Sequence, residues 1–123
     1  MTKQKVLIVD DTNAFLLILN SILKADYEVL IATNGEDALA AARAQKPDLV
    51  LLDIIMPGMT GFEVLEIMRN DAELKDMAVI MITGKVSPEH EEKGRTLGAA
   101  DYIKKPFQAA DVKMRVDSVI KKL

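Results

Sequence analysis

The sequence predicts an α/β fold in which a doubly wound, five-stranded parallel sheet carries helices on both faces. Apolar, strand-like segments alternate along the chain with segments that have helical periodicity and capping signals. The five predicted strands are Val6–Val9, Glu28–Ala32, Leu49–Leu52, Val79–Ile82 and Asp101–Ile103. Because strands and helices alternate from end to end, neighbouring strands should run parallel and be joined by helices that cross the sheet.

Several predicted helices begin or end at recognisable signals. Thr33 and Thr60 are each followed three residues later by a glutamate, which fits a capping box. Ser87-Pro88 fits an N-cap followed by proline at the first helical position, and Gly98 is suited to end that helix. The last helix carries one apolar stripe, formed by Val112, Val116, Val119, Ile120 and Leu123.

The composition is that of a single globular domain. The chain has 123 residues, half of them apolar and 28% charged, which is enough to bury a core. A net charge of −3 argues against direct nucleic-acid binding, and the lack of cysteine excludes disulfides and thiol chemistry. The longest apolar run, 14–19, is too short to span a membrane, and the N-terminus does not resemble a signal peptide. We therefore expect a cytoplasmic protein without membrane association.

Residues that can carry chemistry stand at the ends of four predicted strands. Asp10 and Asp11 follow the first strand, Asp53 follows the third, Thr83 follows the fourth and Lys105 comes just after the fifth. The carboxyl ends of parallel strands meet at one edge of a sheet, where open α/β sheets bind their ligands. We therefore expect three acids, a hydroxyl and an ammonium group to converge on one site.

This set of side chains fits phosphoryl transfer that depends on a divalent metal. Neighbouring carboxylates raise one another's pKa unless a cation neutralises them, and oxygen ligands of this kind suit Mg²⁺. Asp53 is the best nucleophile of the set, because an aspartate can form an acyl phosphate. Lys105, fixed by the following proline, is suited to neutralise phosphoryl charge, and Thr83 to donate a hydrogen bond.

The chain resembles the response-regulator receiver domains (CheY-like) of two-component phosphorelay signalling over nearly its full length, from Val6 to about Leu123. The segments that carry the resemblance are Val9-Asp10-Asp11, Asp53, Met56-Pro57-Gly58-Met59-Thr60-Gly61, Thr83-Gly84, Gly98-Ala99 and Asp101-Tyr102-Ile103-Lys104-Lys105-Pro106-Phe107. The whole set in this order is specific, although each piece alone is weak. The resemblance implies a flavodoxin-like fold with strand order 2-1-3-4-5.

The resemblance also assigns roles to the site residues. Asp53 would accept a phosphoryl group from a histidine kinase or a histidine phosphotransfer protein. Mg²⁺ would be bound by Asp11, Asp53 and the backbone carbonyl of Ile55, while Asp10 would hold metal-bound water. Thr83 and Lys105, the latter chosen over Lys104 by the family motif, would bind phosphoryl oxygens. Tyr102 would be an aromatic switch that turns inward when Thr83 moves toward the phosphate.

By the same resemblance, the protein is a signalling phosphoacceptor and not an enzyme, with at most self-phosphorylation and self-dephosphorylation. Residues 1–123 are expected to form one receiver domain with no output domain in this chain. Its output would then be a downstream protein target or a missing output domain, with no direct nucleic-acid or membrane partner. The cognate kinase, the acyl-phosphate lifetime and the oligomeric state are not specified by the sequence.

Two predicted helices depart from the usual family pattern. In the first, Phe15, Ile18, Leu19, Ile22 and Leu23 form the expected inward stripe. Leu16 and Leu17 fall outside it, so they either form an exposed partner surface or pack beneath a neighbouring loop. The fourth, from Ser87 to Leu97, has little apolar surface and a central glycine, Gly94, which predicts a mobile segment with an exposed His90. Ile55 and Lys85 flank the site where receivers control the lifetime of the acyl phosphate.

Three other functions compete with the receiver. A phosphatase of the haloacid-dehalogenase type also uses an aspartate with Mg²⁺, but its first strand ends Asp-x-Asp, whereas Asp10 and Asp11 are adjacent. A flavodoxin-like electron carrier needs a phosphate-binding loop where this chain has two acids. A receiver that acts only as an interaction module would not need the complete set of acids, Thr83 and Lys105.

Overall fold

The computed structural model describes residues 3–84 and 87–123, in which five parallel strands form one sheet between two layers of helices. The strands are β1 (Lys5–Val9), β2 (Glu28–Ala32), β3 (Leu49–Asp53), β4 (Ala78–Thr83) and β5 (Asp101–Lys104). The helices are α1 (Asn13–Leu23), α2 (Gly35–Gln45), α3 (Gly61–Arg69), α4 (Pro88–Thr96) and α5 (Ala109–Lys121). The strand order is β2-β1-β3-β4-β5, which confirms the predicted fold, and each predicted strand end lies within one residue of the observed end.

The core is divided between the two faces of the sheet. Helices α1 and α5 cover one face with a cluster that includes Leu19 and Val116. Helices α2 and α3 cover the other face, where Leu39 and Leu65 belong to the second cluster. Strand β3 is central and covered on both faces, so it is buried along its whole length and its sequence is continuously apolar up to Asp53.

The capping signals at α3 and α4 are confirmed. The Thr60 hydroxyl accepts a hydrogen bond from the Glu63 N–H at 3.2 Å, and the Glu63 carboxylate accepts one from the Thr60 N–H at 3.3 Å. At α4 the Ser87 hydroxyl accepts from the His90 N–H at 3.1 Å. Gly98 follows the end of that helix with φ of +79°. These local signals depend on neighbouring residues alone, which is why the sequence is sufficient to predict them.

The predicted cap of α2 is wrong by one residue. Asn34 is the N-cap, and its side-chain oxygen accepts a hydrogen bond from the Asp37 N–H at 2.8 Å. Thr33 precedes the cap. Both residue types favour the N-cap position, so two adjacent candidates are not separated by preference alone.

The predicted inward stripe of α1 is confirmed at Leu19, Ile22 and Leu23 but is wrong at Ile18. Leu16, Leu19 and Leu23 are its buried residues, at spacings of i, i+3 and i+7, whereas Ile18 is 47% exposed. Leu16 therefore packs in the core and does not belong to an exposed partner surface, while Leu17 is 70% exposed. The start of this helix is apolar on almost every side, so the face that meets the sheet depends on tertiary packing.

Helix α4 contacts β5 through a glycine. Gly94 is buried, and a Cβ atom added there would lie 2.8 Å from Cε2 and Cζ of the Tyr102 ring. The Tyr102 hydroxyl donates a hydrogen bond to the His90 carbonyl. His90 is half-buried, not exposed as predicted, and its ring lies 5.4 Å from the ring of Phe62. Gly94 therefore allows close approach of Tyr102, and the mobility expected from this glycine stays a prediction.

The C-terminal end of α4 is held by Arg69, the last residue of α3. Its guanidinium donates hydrogen bonds to the carbonyls of Leu97 at 2.7 Å and Gly98 at 3.1 Å. It also donates to the carbonyls of Lys75 at 3.0 Å and Met77 at 2.9 Å. Burial lowers the pKa of Arg69 from its ordinary value. One side chain thus joins the α3–β4 connection to the turn between α4 and β5.

The short helices agree with the absence of a membrane span in the sequence. Within the part of the chain that the structure describes, no helix is both long enough and apolar enough to cross a bilayer. The cytoplasmic location stays a prediction.

Replacing Gly94 with alanine should destabilise the protein, although alanine is the better helix former by about 1 kcal/mol. The added methyl group would overlap the Tyr102 ring, and overpacking of a filled site costs about 1–3 kcal/mol. We expect a lower urea midpoint for Gly94→Ala in the parent protein. In a Tyr102→Ala background, where the ring is absent, the same change should raise the midpoint. A shift of the same sign in both backgrounds would contradict the proposed contact.

Candidate functional site

The predicted site residues lie together at the carboxyl edge of the sheet. Asp53 is the last residue of β3 and Thr83 the last of β4, and both side chains are buried. Asp10, directly after β1, is fully buried, whereas Asp11 is exposed. Lys105 follows β5, and only 12% of its side chain is exposed. The structure therefore brings together the polar set expected from the ends of four strands.

The parallel register of the sheet places Asp10 beside Asp53. Val9 pairs with Leu52, so the next residue of each strand emerges at the same level. Backbone hydrogen bonds continue beyond the strands, from the Asp10 N–H to the Ala32 carbonyl at 3.2 Å. Because both carboxylates extend from rigid strand ends, their proximity is a consequence of the fold and not of loop conformation.

Lys105 bridges the two buried carboxylates. Its Nζ donates a hydrogen bond to Asp10 Oδ2 at 2.9 Å and lies 3.4 Å from Asp53 Oδ2. The Lys105 N–H donates to the Thr83 carbonyl at 2.8 Å, which anchors the start of the loop after β5. The other Asp10 oxygen accepts from the Thr12 N–H at 2.9 Å. Asp10 is therefore held from two sides, and Lys105 is directed toward Asp53.

An aromatic ring forms another side of the Lys105 environment. The Nζ atom lies 4.0 Å from the centroid of the Phe15 ring. Phe107 contacts the same ring, with centroids 5.9 Å apart and a tilt of 54°. The apolar pattern of α1 predicts Phe15 in the core stripe, so the sequence does not reveal this contact. Phe15 comes five residues after Asp10, and the only sequence signal for its role is that proximity.

The three acids could hold a divalent cation. Asp10, Asp11 and Asp53 each offer a carboxylate oxygen, and these oxygens lie within 4.8 Å of one another. With the ammonium of Lys105 nearby, two formal negative charges are left, which one divalent ion would neutralise. An all-oxygen set of this kind matches the preference of Mg²⁺. The residues present therefore fit the metal that the sequence predicts.

Burial changes the acidity of Asp53. Desolvation, and next the negative charge of Asp10, raise the pKa of Asp53 from 3.8 to about 6. The charge and hydrogen bond of Lys105 and a backbone hydrogen bond from Ile55 act in the opposite direction but do not cancel the rise. Repulsion between the buried carboxylates is therefore only partly relieved by the lysine.

A close approach of α3 shapes the loop after Asp53. The Gly61 N–H donates to the Ile54 carbonyl at 2.9 Å, and a Cβ atom on Gly61 would lie 2.8 Å from the Ile54 Cα. This contact folds residues 54–60 into a compact loop over the site. The Ile55 side chain is 53% exposed beside it, and the role of its backbone carbonyl as a metal ligand stays a prediction. Lys85, which was expected to flank the site, lies outside the described residues.

Two other predicted functional residues lie away from the carboxylates. Tyr102 is half-buried against α4, with its hydroxyl on the His90 carbonyl. Leu17 is exposed on α1 and, with Ile18 and Phe107, lines a shallow groove between α1 and the start of α5. The structure thus separates the site itself from the surfaces predicted for switching and for partner binding.

Comparison with known proteins identifies the family. A family model described as the response regulator receiver domain matches residues 6–117. The chain belongs to the response-regulator receiver family. It is 38% identical over 117 residues to the protein PilH of Pseudomonas aeruginosa, covering 94% of this chain and 97% of PilH. The family assignment therefore supports the receiver over the phosphatase and the electron carrier.

Further relatives agree in sequence and in structure. The alkaline phosphatase synthesis transcriptional regulatory protein PhoP of Bacillus subtilis is 33% identical over 120 residues, which cover 97% of this chain but only 49% of PhoP. The solved structure of the chemotaxis protein CheY4 of Vibrio cholerae is 34% identical, with a TM-score of 0.91 and coverage of 96% of this chain and 99% of that chain. This receiver therefore spans nearly all of PilH and about half of PhoP.

The family defines the general role of the domain. Receivers are signalling domains and not classical enzymes. They interact with histidine kinases and with downstream targets. Receiver domains generally bind Mg²⁺ at an acidic pocket, and in this chain Asp10, Asp11 and Asp53 form an acidic cluster.

Replacing Asp53 with asparagine should stabilise the metal-free protein at neutral pH. Folding raises the pKa of Asp53, so Asp53 makes its full contribution to the free energy of unfolding at a pH below the pKa of the unfolded state. This contribution is lost as the pH rises from about 4 through about 6. Asparagine carries no charge, so above this window the variant should be more stable by about 1–3 kcal/mol. Urea unfolding in the presence of a chelator, from pH 4 to pH 8, measures the difference.

The pH dependence provides the control for this prediction. The difference in the free energy of unfolding between the parent and Asp53→Asn should fall toward zero near pH 4. Mg²⁺ should stabilise the parent more than the variant, because binding to the native state adds stability. If the variant is less stable than the parent at pH 7.5 without metal, the charge of Asp53 does not destabilise the metal-free fold and the prediction is wrong.

Proposed function

We propose that the chain accepts a phosphoryl group on Asp53 and that this modification controls the binding of a protein partner. The observation that carries the proposal is the position of Asp53, which lies at the end of β3, beside Asp10 and 3.4 Å from the ammonium of Lys105. An aspartate in this environment is a nucleophile with an electrostatic partner already in place. The donor is the phosphohistidine of a histidine kinase or of a histidine phosphotransfer protein.

Each residue of the site has its own role in the proposed phosphoryl transfer. A carboxylate oxygen of Asp53 forms the bond to phosphorus while the bond from phosphorus to the donor nitrogen breaks, and the electron pair leaves with the histidine. Lys105 neutralises negative charge on the phosphoryl oxygens, and the Thr83 hydroxyl donates a hydrogen bond to one of them. Asp11 and Asp53, with the Ile55 carbonyl and with Asp10 in support, would hold Mg²⁺, which when bound supplies charge neutralisation.

The same residues limit the chemistry of the domain to its own aspartate. We propose self-phosphorylation from small phosphodonors and self-dephosphorylation as its complete catalytic repertoire. Leu17 is the part of the predicted partner surface that is exposed, and it lies on the helix that begins next to Asp11. A histidine-bearing helix that docks there would bring its phosphoryl group to the carboxyl edge of the sheet.

Asp53→Asn should abolish phosphorylation by acetyl phosphate in the presence of Mg²⁺. Intact-protein mass measurement after incubation should find one added phosphoryl group on the parent and none on the variant. Asp26→Asn is a matched control, because Asp26 is an exposed aspartate that pairs with Lys113 away from the site. Asp11→Ala should both weaken Mg²⁺ binding and slow the labelling.

The same measurement separates the competing functions. Full labelling of Asp53→Asn would show that the assigned residue is wrong. Multiple turnover of phosphate esters by the parent would favour the phosphatase, and a parent that is never labelled would favour a receiver that works only as an interaction module.

We propose that phosphorylation is read out through Thr83, Tyr102 and α4. The phosphoryl group would draw Thr83 toward Asp53, Tyr102 would turn into the vacated space, and α4 would shift because Tyr102 lies against Gly94 in the resting protein. A ligand shifts such an equilibrium only by binding the two states differently, and Thr83 and Lys105 supply that difference.

Thr83→Ala should still allow phosphorylation of Asp53 but should uncouple it from α4. Hydrogen exchange across residues 87–97, with and without the phosphoryl mimic beryllofluoride, should change in the parent and stay constant in the variant. Thr83→Ser keeps the hydroxyl and should behave as the parent does. Equal responses in the parent and in Thr83→Ala, or no response in the parent, would rule out the coupling.

A further inference from the structure

Phe15 lies on the side of α1 that faces the site and not on the side that fills the core. The core of this helix is formed by Leu16, Leu19 and Leu23, and Phe15 is half-buried beside them. Its ring contacts are with Phe107, at a centroid distance of 5.9 Å, and with the Lys105 ammonium, at 4.0 Å. A large aromatic side chain is thus placed against a charged group of the site.

In the described part of the chain, few contacts besides the Phe15 ring fix the position of the Lys105 ammonium. Among residues 3–84 and 87–123, the hydrogen-bond acceptors of the ammonium are Asp10 Oδ2 at 2.9 Å and Asp53 Oδ2 at 3.4 Å. Lysine is a point charge at the end of a flexible four-carbon stem, so hydrogen bonds to two acids do not fix its direction as they would for arginine. The face of an aromatic ring attracts such a cation, and the attraction is stronger where water is largely excluded, as it is around Lys105.

We propose that Phe15 is a positioning residue for Lys105. The ring lies against the ammonium, with its centroid 4.0 Å from Nζ, and holds it near Asp53, while Phe107 packs against the ring and limits its rotation. This inference rests on the proposed function, since it adds a residue that acts through the lysine assigned to the phosphoryl oxygens.

Loss of the Phe15 ring should change the rate of phosphoryl transfer and not the binding of Mg²⁺ or of the phosphodonor. With acetyl phosphate, an Asp53 oxygen bonds to phosphorus, the bond from phosphorus to the acetate oxygen breaks, and acetate leaves with the electron pair. Lys105 stabilises the charge of this transition state only if its ammonium is in place when the bonds change. Removal of the ring should therefore lower the maximal rate and leave the half-saturating concentrations of Mg²⁺ and donor nearly unchanged.

The kinetic test compares Phe15→Leu, Phe15→Tyr and Lys105→Met with the parent at saturating Mg²⁺. Phe15→Leu should slow labelling of Asp53 by about 3- to 30-fold, the range of a partly desolvated cation–π contact. Phe15→Tyr keeps a ring and should stay close to the parent. In the Lys105→Met background, Phe15→Leu should have no further effect, because the group that it positions is absent.

A matched control separates positioning from a general loss of packing. Phe62→Leu removes another phenylalanine that lies under a lysine, with Lys93 Nζ at 5.1 Å from its ring, but Phe62 is outside the site. Under conditions where all variants are folded, this control should be labelled at the parent rate. If Phe62→Leu is slowed as much as Phe15→Leu, the effect is one of packing and the inference is wrong.

A spectroscopic measurement checks the geometry without relying on activity. The side-chain methylene protons of Lys105 next to the ammonium should show an upfield ring-current shift in the NMR spectrum. The shift should be lost in Phe15→Leu and kept in Phe15→Tyr and Phe62→Leu. An unchanged shift in Phe15→Leu would overturn the proposed contact.

The outcomes distinguish this inference from the function on which it rests. Labelling of Asp53 that is slowed by Lys105→Met but not by Phe15→Leu leaves the function standing and refutes the role of Phe15. Labelling that is independent of Lys105, or absent from Asp53, refutes the assigned role of the lysine and this inference together.

Discussion

The structure of the site depends on one interaction, the contact of the Lys105 ammonium with two buried carboxylates. The register of β1 and β3 places Asp10 and Asp53 side by side, and burial makes their charge repulsion costly. Lys105 relieves part of that cost, and the raised pKa of Asp53 indicates how much is left. A divalent cation at the acidic cluster would relieve more of that cost. The same imbalance that destabilises the metal-free fold would thus favour the binding of a divalent cation.

The strand ends that carry the site and the helix α4 differ in how extensively the rest of the fold covers them. The groups proposed for chemistry extend from strand ends inside a sheet that is covered on both faces, so their separations are set by strand register. The element proposed to carry the signal, α4, has little apolar surface and meets β5 through a glycine and a tyrosine. In this proposal, the chemistry takes place on elements that are buried on both faces of the sheet, and the signal is carried by an element with fewer apolar contacts.

The sequence was sufficient for features that depend on neighbouring residues or on regular topology. Strand ends, the Thr60 cap and the convergence of Asp10, Asp53 and Lys105 follow from apolar runs, turn signals and parallel pairing. It was insufficient where the outcome depends on packing between distant segments. The apolar start of α1 did not reveal that Leu16 faces the sheet while Phe15 faces the site. Likewise, the sequence does not reveal that Gly94 allows the close approach of Tyr102.

Arg69 sets a geometrical limit on how α4 can move. Its hydrogen bonds to the carbonyls of Leu97 and Gly98 fasten the C-terminal end of the helix to the end of α3. The N-terminal end begins at Ser87, four residues after Thr83. A displacement that preserves the bonds of Arg69 must therefore be a rotation about the fastened end, with an amplitude that grows along the helix toward Ser87. Such a rotation would turn a small shift of Thr83 into a larger movement at the N-terminal end of α4, the end that follows Thr83 in the chain.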